Sequence, residues 1–214
     1  LAFHPEADWV DWVDRLADRD AVVVDDFLPE SLVDGLREAL RDRWEADRFE
    51  AAGIGAEADH HLDRRVRGDR IHWLDEHRDP ALAERLGDWF ALRDELIDAV
   101  RRLCFLPVSG SEFHWAVYPP GTFYRRHVDR FRGRHNRLLS AVVYLNRGWV
   151  PGDGGELRLW LGEDTLDVEP LGGRLVLFRS DTVPHEVLET RVERWSLTGW
   201  LLRQPPGLGF LENG

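Results

Sequence analysis

The sequence predicts an α+β fold in which helices near the start cover one sheet of a double-stranded β-helix, or jelly roll. Three observations lead there. Helical periodicity is concentrated before about residue 105, and from Ser111 onward the chain breaks into short β segments divided by Gly and Pro. No repeat or low-complexity stretch divides the 214 residues, a length that suits one domain, 1–214. Within it, about 1–105 reads as a helical support region with the first strands, and about 111–203 as the jelly-roll core.

The elements follow in order. From about Pro5 to Asp18, Trp9, Val10, Trp12, Val13 and Leu16 fall at helical spacing. Ala21–Val24 is a short β-branched run that reads as a strand. Ser31 is a candidate cap for a helix with Leu32, Leu36 and Leu40 on one face. Residues Glu50 to Arg67, with a small Gly-bearing stretch and the pair His60-His61, read as a loop able to cover a site. Ile71–Leu74 reads as a strand and Pro80–Leu103 as one or two helices. The later strands are expected at Glu112–Tyr118, Tyr124–Val128, Leu138–Leu145, Glu156–Leu161, Thr165–Glu169, Arg174–Phe178, His185–Leu188 and Arg194–Leu202. A jelly roll is the natural closed arrangement for roughly eight such strands.

Composition narrows the function. The net charge is −12 and every basic residue is Arg, so nothing supplies the clustered positive face that a nucleic acid requires. The absence of Lys removes Schiff-base chemistry and P-loop phosphate binding. Cys104 is the only cysteine, which fits a reducing compartment, and no apolar run has bilayer length. These features predict a cytoplasmic enzyme with neither a membrane nor a nucleic-acid partner. No feature specifies an oligomeric state.

The chemistry centres on His127-Val128-Asp129. In a strand, positions i and i+2 project to one face, so His127 and Asp129 could grip one ion, with His185 as a third ligand from a distant strand. Two imidazoles and one carboxylate leave coordination positions open and suit non-haem Fe(II) better than structural zinc. Standing alone, an H-x-D is as readily a surface ion pair. Arg194, nine residues beyond His185, tips the balance, because a guanidinium inside a barrel can fork onto the distal carboxylate of 2-oxoglutarate. The competing role for Arg194 is a rim salt bridge with Glu189 or Glu193. Arg194, Ser196, Thr198 and Trp200 share a strand face, so Thr198 could add a hydroxyl to the same carboxylate. His60-His61 reads as a solvated pair, and His72, His77, His114 and His135 show no usable spacing.

The stretch from Tyr118 through Pro119-Pro120-Gly121 to His127-Val128-Asp129 resembles the first-ligand segment of the prolyl hydroxylases. Tyr144-Leu145-Asn146 with Trp149, then Gly154-Gly155-Glu156, Pro184-His185-Glu186-Val187 and Arg194-Trp195-Ser196-Leu197-Thr198-Gly199-Trp200, continue the resemblance in order. Val23-Val24-Asp25-Asp26-Phe27-Leu28 and Arg67-Gly68-Asp69-Arg70-Ile71-His72-Trp73-Leu74 are similar to the subgroup containing the oxygen-sensing hydroxylases of animals. The resemblance spans about Ala21 to Arg203.

It implies that His127, Asp129 and His185 bind iron and that Arg194 pairs with 2-oxoglutarate, helped by Tyr144 and Thr198. Tyr118 is then expected near cosubstrate and iron, and Arg137 and Trp200 on the substrate side. The implied cofactors are Fe(II), 2-oxoglutarate and O2, with ascorbate as reductant. The implied reaction is hydroxylation of a prolyl residue in a protein, releasing succinate and carbon dioxide. The alternatives are a free amino acid or other small molecule as substrate, and a catalytically silent jelly roll that only binds. The presence of Asp129 excludes the halogenating variant. Arg130–Asn136 and the Glu50–Arg67 loop depart from the animal enzymes, so the identity of the target does not carry over.

Overall fold

The computed structural model describes residues 2–53, 63, 65–129 and 136–203. It opens with α1 (Glu6–Arg19), β1 (Ala21–Val24), α2 (Glu30–Glu45), β2 (Glu50–Ala51), β3 (Arg70–Leu74), α3 (Pro80–Arg85) and α4 (Gly87–Leu103). There follow β4 (Gly110–Tyr118), β5 (Tyr124–His127), β6 (Arg137–Tyr144), β7 (Leu157–Leu161), β8 (Asp164–Val168), β9 (Leu175–Arg179), β10 (His185–Val187) and β11 (Arg194–Leu202). The strands make a seven-stranded sheet, β1-β9-β6-β11-β4-β3-β2, facing a four-stranded sheet, β5-β10-β7-β8. Strands β4 to β11 divide four and four between the two sheets, which is the jelly roll; β1, β2 and β3 extend the edges of the larger one.

The alternation of side chains explains why both faces of the larger sheet are dry. Phe113, Trp115 and Val117 of β4 and Leu139, Ala141 and Val143 of β6 point outward, into a core shared with Trp9 and Leu16 of α1, Leu36 and Leu40 of α2 and Leu96 and Val100 of α4. The intervening residues Ala116, Tyr118, Val142 and Tyr144 point inward, where Leu157, Leu159 and Val187 of the smaller sheet meet them. Strands wetted on neither face read as nearly continuous apolar runs, and that is how β6 and β9 look in the sequence. Burying each large apolar side chain is worth roughly 1.5–3 kcal/mol.

Two local expectations need correction. Ser31 does not cap α2: the helix begins at Glu30, with Pro29 at the N-cap and no side-chain hydrogen bond there. Proline presets the backbone angle for helix entry, so the hydroxyl is not needed. The cap that uses a side chain is Asp79, which accepts from the Leu82 amide at 3.0 Å to start α3. Strand β5 ends at His127, so Asp129 lies in a bend beyond it and not on the strand. The central part of the proposed covering loop, with His60, His61 and Arg64, lies outside the described residues, as does most of the 130–136 segment, including His135.

Candidate active site

The site is assembled by strand register. Antiparallel pairing of β10 with β5 sets His185 opposite His127, which brings the two imidazole centroids within 4.2 Å of each other. In each ring Nδ1 faces a backbone carbonyl, that of Arg125 at 2.8 Å for His127 and that of Val183 at 3.1 Å for His185. If Nδ1 carries the proton and donates it there, Nε2 is left with its lone pair free, the arrangement that metal-binding histidines use. Both Nε2 atoms lie 3.5 Å from a carboxylate oxygen of Asp129. Asp129 reaches them from its bend because Oδ2 accepts from Ser140 Oγ at 2.7 Å and from Trp200 Nε1 at 2.8 Å.

One donor atom from each of His127, Asp129 and His185 lies within 4.8 Å of the others, and among the described residues no other such cluster occurs. Burial pushes the Asp129 carboxyl up, but the His185 and His127 imidazoles and the Arg137 guanidinium outweigh it, so the group stays ionised well below the usual carboxylate range. Burial, reinforced by His127, lowers His185 to about 4, so its imidazole is neutral at pH 7 despite the opposing Asp129 charge. Two imidazoles and one carboxylate grouped on one side are a donor set for an open iron(II) centre.

A second feature lies along β11. Arg194 is 2 % exposed and its guanidinium carbon sits 5.0 Å from the ring centroids of both Tyr118 and Tyr144. Nε donates to the Gly155 carbonyl at 2.8 Å and Nη1 to Ser196 Oγ at 3.3 Å, with Thr198 Oγ1 a further 3.2 Å on. Neither Glu189 nor Glu193 pairs with it, and among the described residues no carboxylate does; Glu193 instead accepts from Trp195 Nε1. The Tyr144 hydroxyl beside it is buried and, by hydrogen-bond geometry, has no partner among the described residues, although it is close enough to Arg194 to feel its charge. A buried cation with no counter-ion is costly to maintain, and together with an orphaned hydroxyl it fits an anionic ligand such as the distal carboxylate of 2-oxoglutarate.

The chain leaves room for this arginine by using glycine. A Cβ on Gly155 would lie 2.9 Å from Arg194 Cδ, and its φ of +78° is in any case a glycine conformation. Trp149 Nε1 steadies the turn by donating to the Gly154 carbonyl at 2.9 Å.

The remaining expected residues gather at the other end of the same strand face. Arg137 forks onto Glu112 at 2.7 and 3.2 Å and stacks over Trp200, its guanidinium carbon 3.4 Å from the ring centroid. Three neighbours have no role assigned from the sequence: Ser140, which holds Asp129; Ser196, expected on the face of Arg194, which joins Arg194 to Thr198; and His114, opposite Thr198 on β4. The signal for His114 and Ser196 was the period of two, since His114 is in phase with Tyr118 and Ser196 with Arg194.

The profile of the 2OG-Fe(II) oxygenase superfamily matches residues 113–202. Among solved structures, a prolyl-4-hydroxylase of Pseudomonas putida is 42 % identical, with 92 % of this chain and 99 % of that one covered and a TM-score of 0.81. A prolyl hydroxylase of Trichoplax adhaerens, solved with a peptide fragment of the hypoxia inducible factor oxygen degradation domain, is 26 % identical over 92 % of this chain and 90 % of that one, TM-score 0.84. A prolyl 4-hydroxylase of Phytophthora capsici is likewise 26 % identical, covering 94 % of this chain and 67 % of that one, TM-score 0.73. Among the described residues no helix is long and apolar enough to cross a membrane. With the similarity to the Pseudomonas enzyme running across nearly the whole of both chains, this protein belongs to the 2OG-Fe(II) oxygenase superfamily and is an iron(II)- and 2-oxoglutarate-dependent dioxygenase of the prolyl hydroxylase type.

Proposed function

We propose that the enzyme hydroxylates a prolyl residue within a peptide or protein, with His127, Asp129 and His185 as the iron ligands and Arg194 as the anchor of 2-oxoglutarate. The observation that carries the site assignment is the buried Arg194, flanked by two tyrosines and left without a carboxylate partner among the described residues. Bound together, iron(II) and 2-oxoglutarate supply oxygen activation coupled to decarboxylation of the cosubstrate, with succinate and carbon dioxide as products and one oxygen atom delivered to a C–H bond.

The protein's own part is positioning. The guanidinium of Arg194 takes one end of the cosubstrate in a charge-assisted fork, and the Tyr144 hydroxyl adds the donor it now lacks a partner for. Ser196 and Thr198 extend the polar track from Arg194, and Tyr118 closes the opposite side of the guanidinium. Inward-facing Val142, Val176 and Phe178 keep the chamber apolar and water-poor. Arg137 and Trp200 flank Asp129 on the side where the peptide would enter. Similarity to a relative solved with a peptide supports a polypeptide substrate over a free amino acid.

The test is to incubate the enzyme with iron(II), 2-oxoglutarate, ascorbate and short synthetic peptides, each with one central proline, and to follow both succinate and peptide mass. A one-oxygen mass gain located on proline is expected. Stoichiometric succinate with a free amino acid, and none with any peptide, would move the substrate class to small molecules.

Gly155→Ala arises from the same geometry. The added methyl must push Arg194 aside and adopt a strained φ, so 2-oxoglutarate affinity is expected to fall about tenfold, with about 1–3 kcal/mol lost in stability. Titration of 2-oxoglutarate and thermal unfolding of the variant would check both.

A further inference from the structure

The inner face of the larger sheet carries a cross-strand row that the proposed mechanism leaves unused. Trp73 on β3 is opposite His114 on β4, and His114 is opposite Thr198 on β11. This row runs from the rim of the site to the track of hydroxyls beside Arg194. At its outer end Trp73 is 46 % exposed, one of the few large apolar side chains left in water. Among the described residues its indole meets the rings of His114 at 4.7 Å and Trp200 at 6.3 Å by centroid. Beneath it His114 is 1 % exposed, and among the described residues neither of its ring nitrogens has a hydrogen-bond partner. The same imidazole lies 5.5 Å from the Trp200 ring, whose Nε1 bonds Asp129.

An imidazole with both nitrogens unpaired is a costly occupant of a buried position, since each unmet polar group forfeits about 1–3 kcal/mol. An apolar residue would serve packing better, so the position calls for an incoming partner. Burial, with Arg67 and Arg137 nearby, keeps the ring neutral against the pull of Asp129. A neutral imidazole offers one donor and one acceptor, the complement of a peptide group. An exposed indole next to it offers a broad apolar face on which an extended peptide can rest.

We propose that Trp73 and His114 form the recognition wall for the polypeptide substrate, the indole supporting the chain and the imidazole hydrogen-bonding its backbone beside the target residue. The inference rests on the prolyl-peptide reading above and adds the residues that hold the peptide. Among the described residues no hydrogen bond fixes the indole of Trp73, so an arriving peptide can turn it and uncover the imidazole. His114 is a positioning residue, and its loss shows in peptide binding before it shows in turnover.

The experiment measures KM and kcat for a proline-containing synthetic peptide that the wild-type enzyme hydroxylates, together with KM for 2-oxoglutarate and the unfolding temperature. His114→Leu is expected to raise the peptide KM roughly tenfold, the worth of one hydrogen bond of about 1.4 kcal/mol, with a much smaller change in the KM for 2-oxoglutarate. Its unfolding temperature should hold or rise, because an unsatisfied polar group has been replaced by an apolar one. His114→Gln, which keeps a donor and an acceptor, should recover part of the peptide affinity. Trp73→Ala should raise the peptide KM as well. A His114→Leu enzyme with the wild-type peptide KM, or one that loses stability and gains nothing from Gln, overturns the role of the wall alone. A wild-type enzyme that hydroxylates no prolyl peptide overturns both this inference and the reading beneath it.

Discussion

Asp129→Ala should leave a folded protein that no longer retains iron(II). Asp129 supplies the only negative charge among the three donors, and its neighbours are arranged to aim it: Ser140 Oγ and Trp200 Nε1 both donate to Oδ2, while the two imidazoles converge on the carboxylate. Removing a partner that merely orients a ligand typically costs 10–100-fold in metal affinity. Removal of the ligand itself should therefore weaken iron(II) binding by about 100-fold or more. Two imidazoles would remain, with Ser140 and Trp200 deprived of an acceptor. Asp129→Asn keeps the shape and loses the charge, so it should fall between wild type and Ala. Anaerobic titration of iron(II) into the apoprotein reads this directly, without reliance on turnover. Iron(II) affinity in Asp129→Ala equal to wild type would end the assignment.

Arg194→Leu carries the second large expectation, in two opposite directions. A charge-assisted fork onto a carboxylate is worth several kcal/mol when desolvated, so 2-oxoglutarate affinity should drop by about 100-fold or more. Ligand-free stability should change in the other sense or hardly at all. The wild-type protein buries a cation for which no carboxylate partner is found among the described residues, and replacing such a charge with an apolar side chain relieves a desolvation penalty. The lost bonds to the Gly155 carbonyl and Ser196 limit the gain. Arg194→Lys retains the charge but not the fork and should recover only part of the affinity. Thermal unfolding with and without 2-oxoglutarate separates the two effects: the variant should show no ligand-induced rise. An undiminished rise would remove Arg194 from the cosubstrate site.

Much of this arrangement is legible in the sequence because its signals are local. The strands of the larger sheet stand out because both faces are buried, which concentrates β-branched and aromatic residues in runs such as Leu138–Leu145. Helix α1 shows its stripe of Trp9, Val13 and Leu16 because one side alone meets the sheet. Strand β2 was missed, since two exposed residues carry no pattern. Ser31 misled because a residue suited to capping says nothing of whether the preceding proline has already set the turn.

For the site, residue types in order pointed to two imidazoles, a carboxylate and an arginine; the structure brings the first three together and buries the fourth beside Tyr118 and Tyr144. Strand periodicity gave the wrong route for Asp129, whose carboxylate arrives through a bend held by Ser140 and Trp200. His114 shows no usable spacing in the sequence because its meaning comes from Trp73 on one side and Thr198 on the other, neither of them near it in the chain.

From the sequence came the fold class, through the periods of its elements, and the candidate triad with its chemistry, through the order of its motifs and their resemblance to a family. Tertiary structure alone decided that His185 stands across from His127, and that among the described residues Arg194 lies between two tyrosines without a counter-ion and an imidazole lies without a hydrogen-bond partner beside an exposed indole. Those depend on strand register and on what desolvates each group. Both are settled by contacts between segments far apart in sequence, where period and propensity have no reach.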